Sequence, residues 1–182
     1  PMAVSEVLAR RGHVDILINN AGVSQRALAK DASLDVERAL MEVNYFGALR
    51  LTMGLLPGML AKRKGQVINI SSIGVLTNAP RFSAYVASKA AMDAWARCAA
   101  SEFTDRGIEF TTINMPLVRT PMIAPTKIYE QVPTLSPEEA ADLVVEAIIH
   151  KPVRIATRLG IFGALLHSLT PKAAQIMMNT SF

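Results

Sequence analysis

Tyr85 and Lys89 stand four residues apart in Tyr85-Val86-Ala87-Ser88-Lys89, a spacing that puts a phenol and an ammonium on one face of a helix. A cation beside a phenol favours the phenolate, so the pair is expected to pull the tyrosine pKa below its ordinary value of about 10. Alone, this spacing arises often by chance. Asn69-Ile70-Ser71-Ser72 closes a predicted strand upstream, which puts the Ser72 hydroxyl at the carboxyl end of a sheet, where open α/β sheets bind ligands. Asn19-Asn20-Ala21-Gly22 ends another strand, and Val43-Asn44-Tyr45-Phe46-Gly47 places an amide inside a long apolar helix. Asparagine is unfavourable there, so Asn44 either has a hydrogen-bonding task or faces solvent. Each residue also has an ordinary alternative: Ser72 as a turn cap, Lys89 as a solvated helix charge, Asn19-Asn20 as a strand-ending turn.

The elements that must position these groups alternate between apolar strands and longer helical patterns, the signature of a parallel sheet. Strands are expected at 14–19, 66–71, 108–113 and 153–156, and helices at about 2–12, 33–62, 83–106 and 136–150. The last helix is announced by Ser136-Pro137-Glu138-Glu139, while Gly12, Gly65 and Gly107 sit where helices should stop. Residues 1–158 carry no repeat, low-complexity tract or linker and read as one domain. Residues 159–182 read as an apolar tail of that domain, with positions 162, 165, 166, 169, 173 and 176 on one helical face. That face suits packing on the core or on another subunit, or contact with a membrane or an acyl chain.

A chain of 182 residues with 51% hydrophobic side chains can bury one sizeable core. It has no apolar run of membrane-spanning length and no signal-peptide pattern at its start, which points to a cytoplasmic protein. The single cysteine, Cys98, cannot form an internal disulfide and reads as a buried or half-buried apolar side chain. His13, His150 and His167 lie apart with no acidic or thiol partners at ligand spacing, so no metal is expected. The net charge of +4 is scattered, with short clusters at Arg10-Arg11 and Lys62-Arg63-Lys64. It argues against nucleic acid and leaves room for a weak pull on a nucleotide phosphate or coenzyme A.

Taken in order, the four motifs resemble the short-chain dehydrogenase/reductase family over nearly the whole chain to about residue 158. The resemblance implies a Rossmann-like, doubly wound α/β fold and an NADPH or NADH cofactor. It implies Tyr85 as catalytic acid/base, Ser72 as hydrogen-bond partner of the substrate oxygen, Lys89 as modulator of the tyrosine and holder of the nicotinamide ribose, and Asn44 as holder of a relay water. Asn19, Ala21 and Gly22 would lie against the adenosine side of the cofactor. Asn114-Met115-Pro116-Leu117-Val118-Arg119-Thr120 is similar to the family's Asn-Pro-Gly-x-Val-x-Thr segment beside the nicotinamide, with Val118 and Thr120 matching. Met115-Pro116 replaces Pro-Gly, so that turn must be made differently. Pairing into a homodimer or homotetramer through helices 33–62 and 83–106 is also implied.

The family pattern begins with strands and a Thr-Gly-x-x-x-Gly-x-Gly loop that have no counterpart here, since no Gly-x-Gly precedes Asn19. The sheet is therefore expected to lack its first three strands and that loop. We expect a fragment of a larger protein that leaves strand 14–19 as an exposed edge and binds NAD(P) poorly by itself. The residues that choose between NADH and NADPH belong to that missing part.

The segments 115–126 and 78–85 resemble the reductase domain of bacterial fatty acyl-CoA reductases. This implies hydride transfer to an acyl thioester, a hydrophobic substrate, and an acyl channel lined by Met122-Ile123 and the tail, enclosed by a segment at 120–135. A ketone or alcohol dehydrogenase for another hydrophobic substrate is the alternative. A non-catalytic interaction or peripheral-membrane module stands as a third reading.

Overall fold

The computed structural model describes residues 2–123 and 132–181. Four parallel strands form one sheet in the order β1 (Ile16–Asn19), β2 (Gly65–Ser72), β3 (Ile108–Met115) and β4 (Arg154–Ala156). Alternate side chains leave opposite faces of each strand. Val67, Ile108 and Phe110 meet Leu55, Met59, Ala96 and Ala99 on one face, whereas Ile68 and Ile113 meet Ala147 on the other. The first layer holds α1 (Met2–Arg11), α3 (Ala48–Lys62) and α5 (Ser83–Phe103), and the second holds α6 (Pro137–His150). The expected α/β architecture is met. Among the described residues β1 pairs with β2 alone and leaves Ile16 and Ile18 exposed along the sheet edge, as the sequence suggested.

The helix expected at 33–62 is interrupted by a change of winding. α2 (Leu34–Met41), capped by the Ser33 hydroxyl, passes into a π-helical stretch at Glu42–Gly47 before α3 resumes. Such wide turns insert one extra residue and occur often at functional sites; here Asn44 sits in the middle of one. A short helix absent from the sequence reading, α4 (Ile73–Thr77), follows β2 and is capped by Ser72 itself, whose hydroxyl accepts from Gly74 N at 3.1 Å. The start of α6 is as expected: the Ser136 hydroxyl accepts from Glu139 N while the Glu139 carboxylate accepts from Ser136 N.

Several expectations are corrected. Gly12 and Gly107 do take the left-handed conformation after a helix, at φ 75° each, but the left-handed cap of α3 is Arg63. Gly65 instead opens β2, and a Cβ there would stand 2.7 Å from the Met59 side chain, so its smallness serves packing. Cys98 is exposed, because it faces away from the α5 stripe of Lys89, Met92, Ala96 and Ala99 that meets the sheet.

The tail is two helices, α7 (Arg158–Leu169) and α8 (Pro171–Ser181), separated at Thr170 where the chain turns extended and Pro171 cannot continue the ladder. The single face expected through 162–176 therefore does not exist. α7 packs on α4 through its glycines, with Gly160 against Ile73 and Leu76 and Gly163 against Thr77, leaving Phe162 58% and Leu169 79% exposed. No helix among the described residues is long and apolar enough to cross a membrane.

Candidate functional site

β2 ends at Ser72, and α5 begins at Ser83, so the first turn of α5 rises beside the carboxyl end of the sheet. Tyr85 lies in that turn, with the Ser72 side chain near enough to its phenol to pull the phenol's pKa down. The ring of Phe82 stands edge-on to Tyr85, centroids 6.5 Å apart. One turn deeper, Lys89 is only 6% exposed and its ammonium donates to the Ile70 carbonyl at 2.8 Å. Ser72, Tyr85 and Lys89 thus converge from two elements, as the spacing implied.

Asn44 joins them from the π-helical stretch and is 2% exposed. Its Oδ1 accepts from Val23 N at 2.8 Å, and its Nδ2 donates to the Val23 carbonyl and to Ser88 Oγ, both at 2.9 Å. Ser88 Oγ in turn donates to the Tyr85 carbonyl at 2.7 Å. Of the two roles left open for Asn44, the hydrogen-bonding one holds. It ties the chain after β1 to the first turn of α5.

Burial decides the ionisation of the pair. The Tyr85 phenol is pushed above its usual value by desolvation, with the Ser72 side chain pulling the other way. Lys89 is lowered to about 8 by desolvation. The expectation that Lys89 draws the tyrosine down is therefore corrected: removing the phenolate from water costs more than its neighbours return.

Asn19, at the end of β1, is buried and donates to Thr52 Oγ1 at 3.1 Å and Asn69 Oδ1 at 2.8 Å. Among the described residues Asn19 Oδ1 and Asn69 Nδ2 find no hydrogen-bond partner. Both residues line a cavity of about 10 Å³ with Ala21, Asn44, Ser71 and Lys89, about the least space that holds one water molecule. At Gly22 a Cβ would lie 3.1 Å from Lys89 Nζ and 3.2 Å from Asn44 Oδ1, so the backbone runs close against both groups. Gly22→Ala is expected to displace the Lys89 ammonium by a few tenths of an ångström. Turnover should fall by about tenfold or less while stability stays within about 1 kcal/mol, checked by steady-state kinetics beside a thermal melt.

Val118 and Thr120 lie past the end of β3. Val118 bridges to Leu135, and Thr120 Oγ1 donates to the Val118 carbonyl at 3.3 Å. Leu135 N donates to the Leu117 carbonyl at 2.8 Å and Arg119 N to the Leu135 carbonyl at 2.9 Å. No described contact joins Val118 or Thr120 to the other four. The expected channel segment at 120–135 falls partly on residues 124–131, outside the described residues.

Ser88, which links Asn44 to the Tyr85 carbonyl, was not singled out by its sequence context.

A family model described as short chain dehydrogenase matches residues 1–130. The fatty acyl-CoA reductase of Acinetobacter baylyi is 57% identical over 180 residues, which cover 97% of this chain and 61% of that protein. The chain thus spans less than two-thirds of that relative's length. Among solved structures, a short-chain dehydrogenase from Streptomyces avermitilis superposes with a TM-score of 0.82 at 28% identity, covering 98% of this chain and 74% of that one. A gluconate 5-dehydrogenase from Burkholderia cenocepacia, in complex with NADP and tartrate, gives 0.66 at 27% identity, covering 72% and 51%. With the Rossmann-like sheet and these matches together, the chain belongs to the short-chain dehydrogenase family.

Proposed function

We propose that this chain carries the proton-transfer site of an NAD(P)-dependent oxidoreductase that reduces a fatty acyl thioester to the aldehyde. The observation that carries the reading is the convergence of Ser72, at the end of β2, with Tyr85 in the first turn of α5 and Lys89 buried one helical turn away. The name of the Acinetobacter relative and the NADP of the gluconate dehydrogenase complex support the substrate class and the cofactor.

The residues present fit a nicotinamide ribose. Lys89 has three ammonium donors, and the hydrogen bond that occupies one of them runs to Ile70. The side chain missing at Gly22 leaves its approach narrow but open. Tyr85 and Lys89 would hold the ribose, Asn19, Ala21 and Gly22 would border the adenosine side, and Val118 and Thr120 would approach the nicotinamide. The bound cofactor supplies the hydride.

The chain's own residues manage the oxygen. Ser72 and Tyr85 donate to the carbonyl oxygen and stabilise the negative charge that develops as the acyl carbon is reduced. Cleavage of the C–S bond then releases a thiolate and leaves the aldehyde. A ketone would instead take the Tyr85 proton and leave as the alcohol. Burial keeps Tyr85 protonated at neutral pH, the form needed for donation. Asn44, with a water in the small cavity, would return a proton toward Lys89.

The product of the complete gene, given NADPH or NADH and a long-chain acyl-CoA, is expected to yield aldehyde with one free thiol per turnover. Reduction of ketones without thiol release would replace this reading with the ketone or alcohol dehydrogenase one. We also infer that copies pair through the α2–α3 and α5 helices, supported by the exposed Leu34, Leu51 and Met53; sedimentation of the gene product as a monomer would remove that inference.

A further inference from the structure

We propose that Asn114 and Arg154 are positioning residues that hold Ser72 against Tyr85, acting from the strands behind the site. The inference rests on the acid–base role proposed for Tyr85. Asn114 lies opposite Ser71 in the β2–β3 register and is 1% exposed. Its Nδ2 donates to the Ser72 carbonyl at 3.2 Å and to Ser71 Oγ at 3.5 Å. Its Oδ1 accepts from Arg154 Nη1 at 2.6 Å.

The second guanidinium nitrogen of Arg154 donates to both carboxylate oxygens of Asp93, at 3.2 and 3.3 Å. Asp93 is buried in α5, four residues beyond Lys89, and its Oδ2 also accepts from Arg97 at 2.5 Å. One rigid fork therefore spans a β3 amide and an α5 carboxylate.

This arrangement removes a freedom that an isolated asparagine has. With Oδ1 claimed by a cation, the amide of Asn114 must turn its donor end toward Ser72. The Ser72 carbonyl is the last group of β2 before α4 begins, so holding it sets the direction in which the Ser72 side chain leaves the backbone. A buried amide with an arginine behind it is a poor device for stability alone, because both groups lose hydration. As a way to fix one hydroxyl it is well suited, since small misplacements of reacting groups have large effects on rate.

The test follows the Tyr85 phenol of the complete gene product by the ultraviolet absorbance of its phenolate, with Tyr85→Phe subtracting the other tyrosines. Ser72→Ala removes the hydroxyl that pulls the phenol down and should move its titration to higher pH. Asn114→Ala and the milder Arg154→Lys are expected to move it the same way and to lower kcat by about 10- to 100-fold, with KM for the nucleotide unchanged. In a Ser72→Ala background Asn114→Ala should add nothing.

A Tyr85 titration left in place by Asn114→Ala and Arg154→Lys overturns the proposal, as does an equal kcat loss from Asn114→Ala in the Ser72→Ala background. The phenol readout needs no turnover, so failure of the activity reading and failure of this one are seen separately.

Discussion

Tyr85→Phe is expected to lower turnover of the carbonyl or thioester substrate by about 10²- to 10⁴-fold, the usual contribution of a positioned acid. The ring remains beside Phe82, so the edge-on packing survives. Only the hydroxyl and its interaction with Ser72 are lost, an effect on stability of about 1 kcal/mol. Single-turnover kinetics with the hydride donor in excess, read beside a thermal melt, separate chemistry from folding. An unchanged rate would take Tyr85 out of the reaction and move the proton source elsewhere. A lost fold would show that its buried position is chiefly structural.

Lys89→Met should have opposite effects on activity and stability. Burial lowers Lys89 from 10.5 to about 8, a shift worth about 3 kcal/mol against the charged form. Losing the bond to Ile70 on replacement offsets about 1 kcal/mol of that. Methionine is therefore expected to raise stability at pH 7 by about 2 kcal/mol, with turnover reduced by about 100-fold or more.

The pH dependence has a definite sign. Between about 8 and 10.5 the unfolded chain holds the Lys89 proton and the folded chain has lost it, so wild-type stability rises with pH across that window. Below about 8 both states are charged and the folded one bears the desolvation cost. The methionine variant should lack the rise between pH 8 and 10.5. Denaturant titrations at several pH values check both claims, and a destabilised Met variant at pH 7 would show that the ammonium contributes more through its contacts than it loses by burial. If the ammonium charge is needed for turnover, the rate of the wild type falls as pH passes about 8.

Much of the site was legible because its spacing is local. Tyr85 and Lys89 share a face of α5 wherever that helix docks, and Ser72 follows a strand whose β-branched run is plain in the sequence. The strands and the N-cap of α6 were readable for the same reason: alternation, caps and prolines act within a few residues. The break at Thr170-Pro171 was also locally signalled, although the apolar periodicity around it suggested one helix. Cys98 shows the limit of composition, since an apolar stretch does not say which side of a helix meets the sheet.

The amino-acid order by itself pointed to the family and the four-strand α/β alternation and singled out Tyr85, Lys89, Ser72 and Asn44 as candidates. Tertiary structure alone decided how those groups ionise and what holds them. The raised phenol and the lowered ammonium come from atoms gathered around them from β2, the π-helical stretch and α5. The Arg154–Asn114–Ser72 chain links residues 40 and 42 positions apart. Desolvation and cross-strand hydrogen bonds depend on the packing of distant segments, and no periodicity in one segment encodes that.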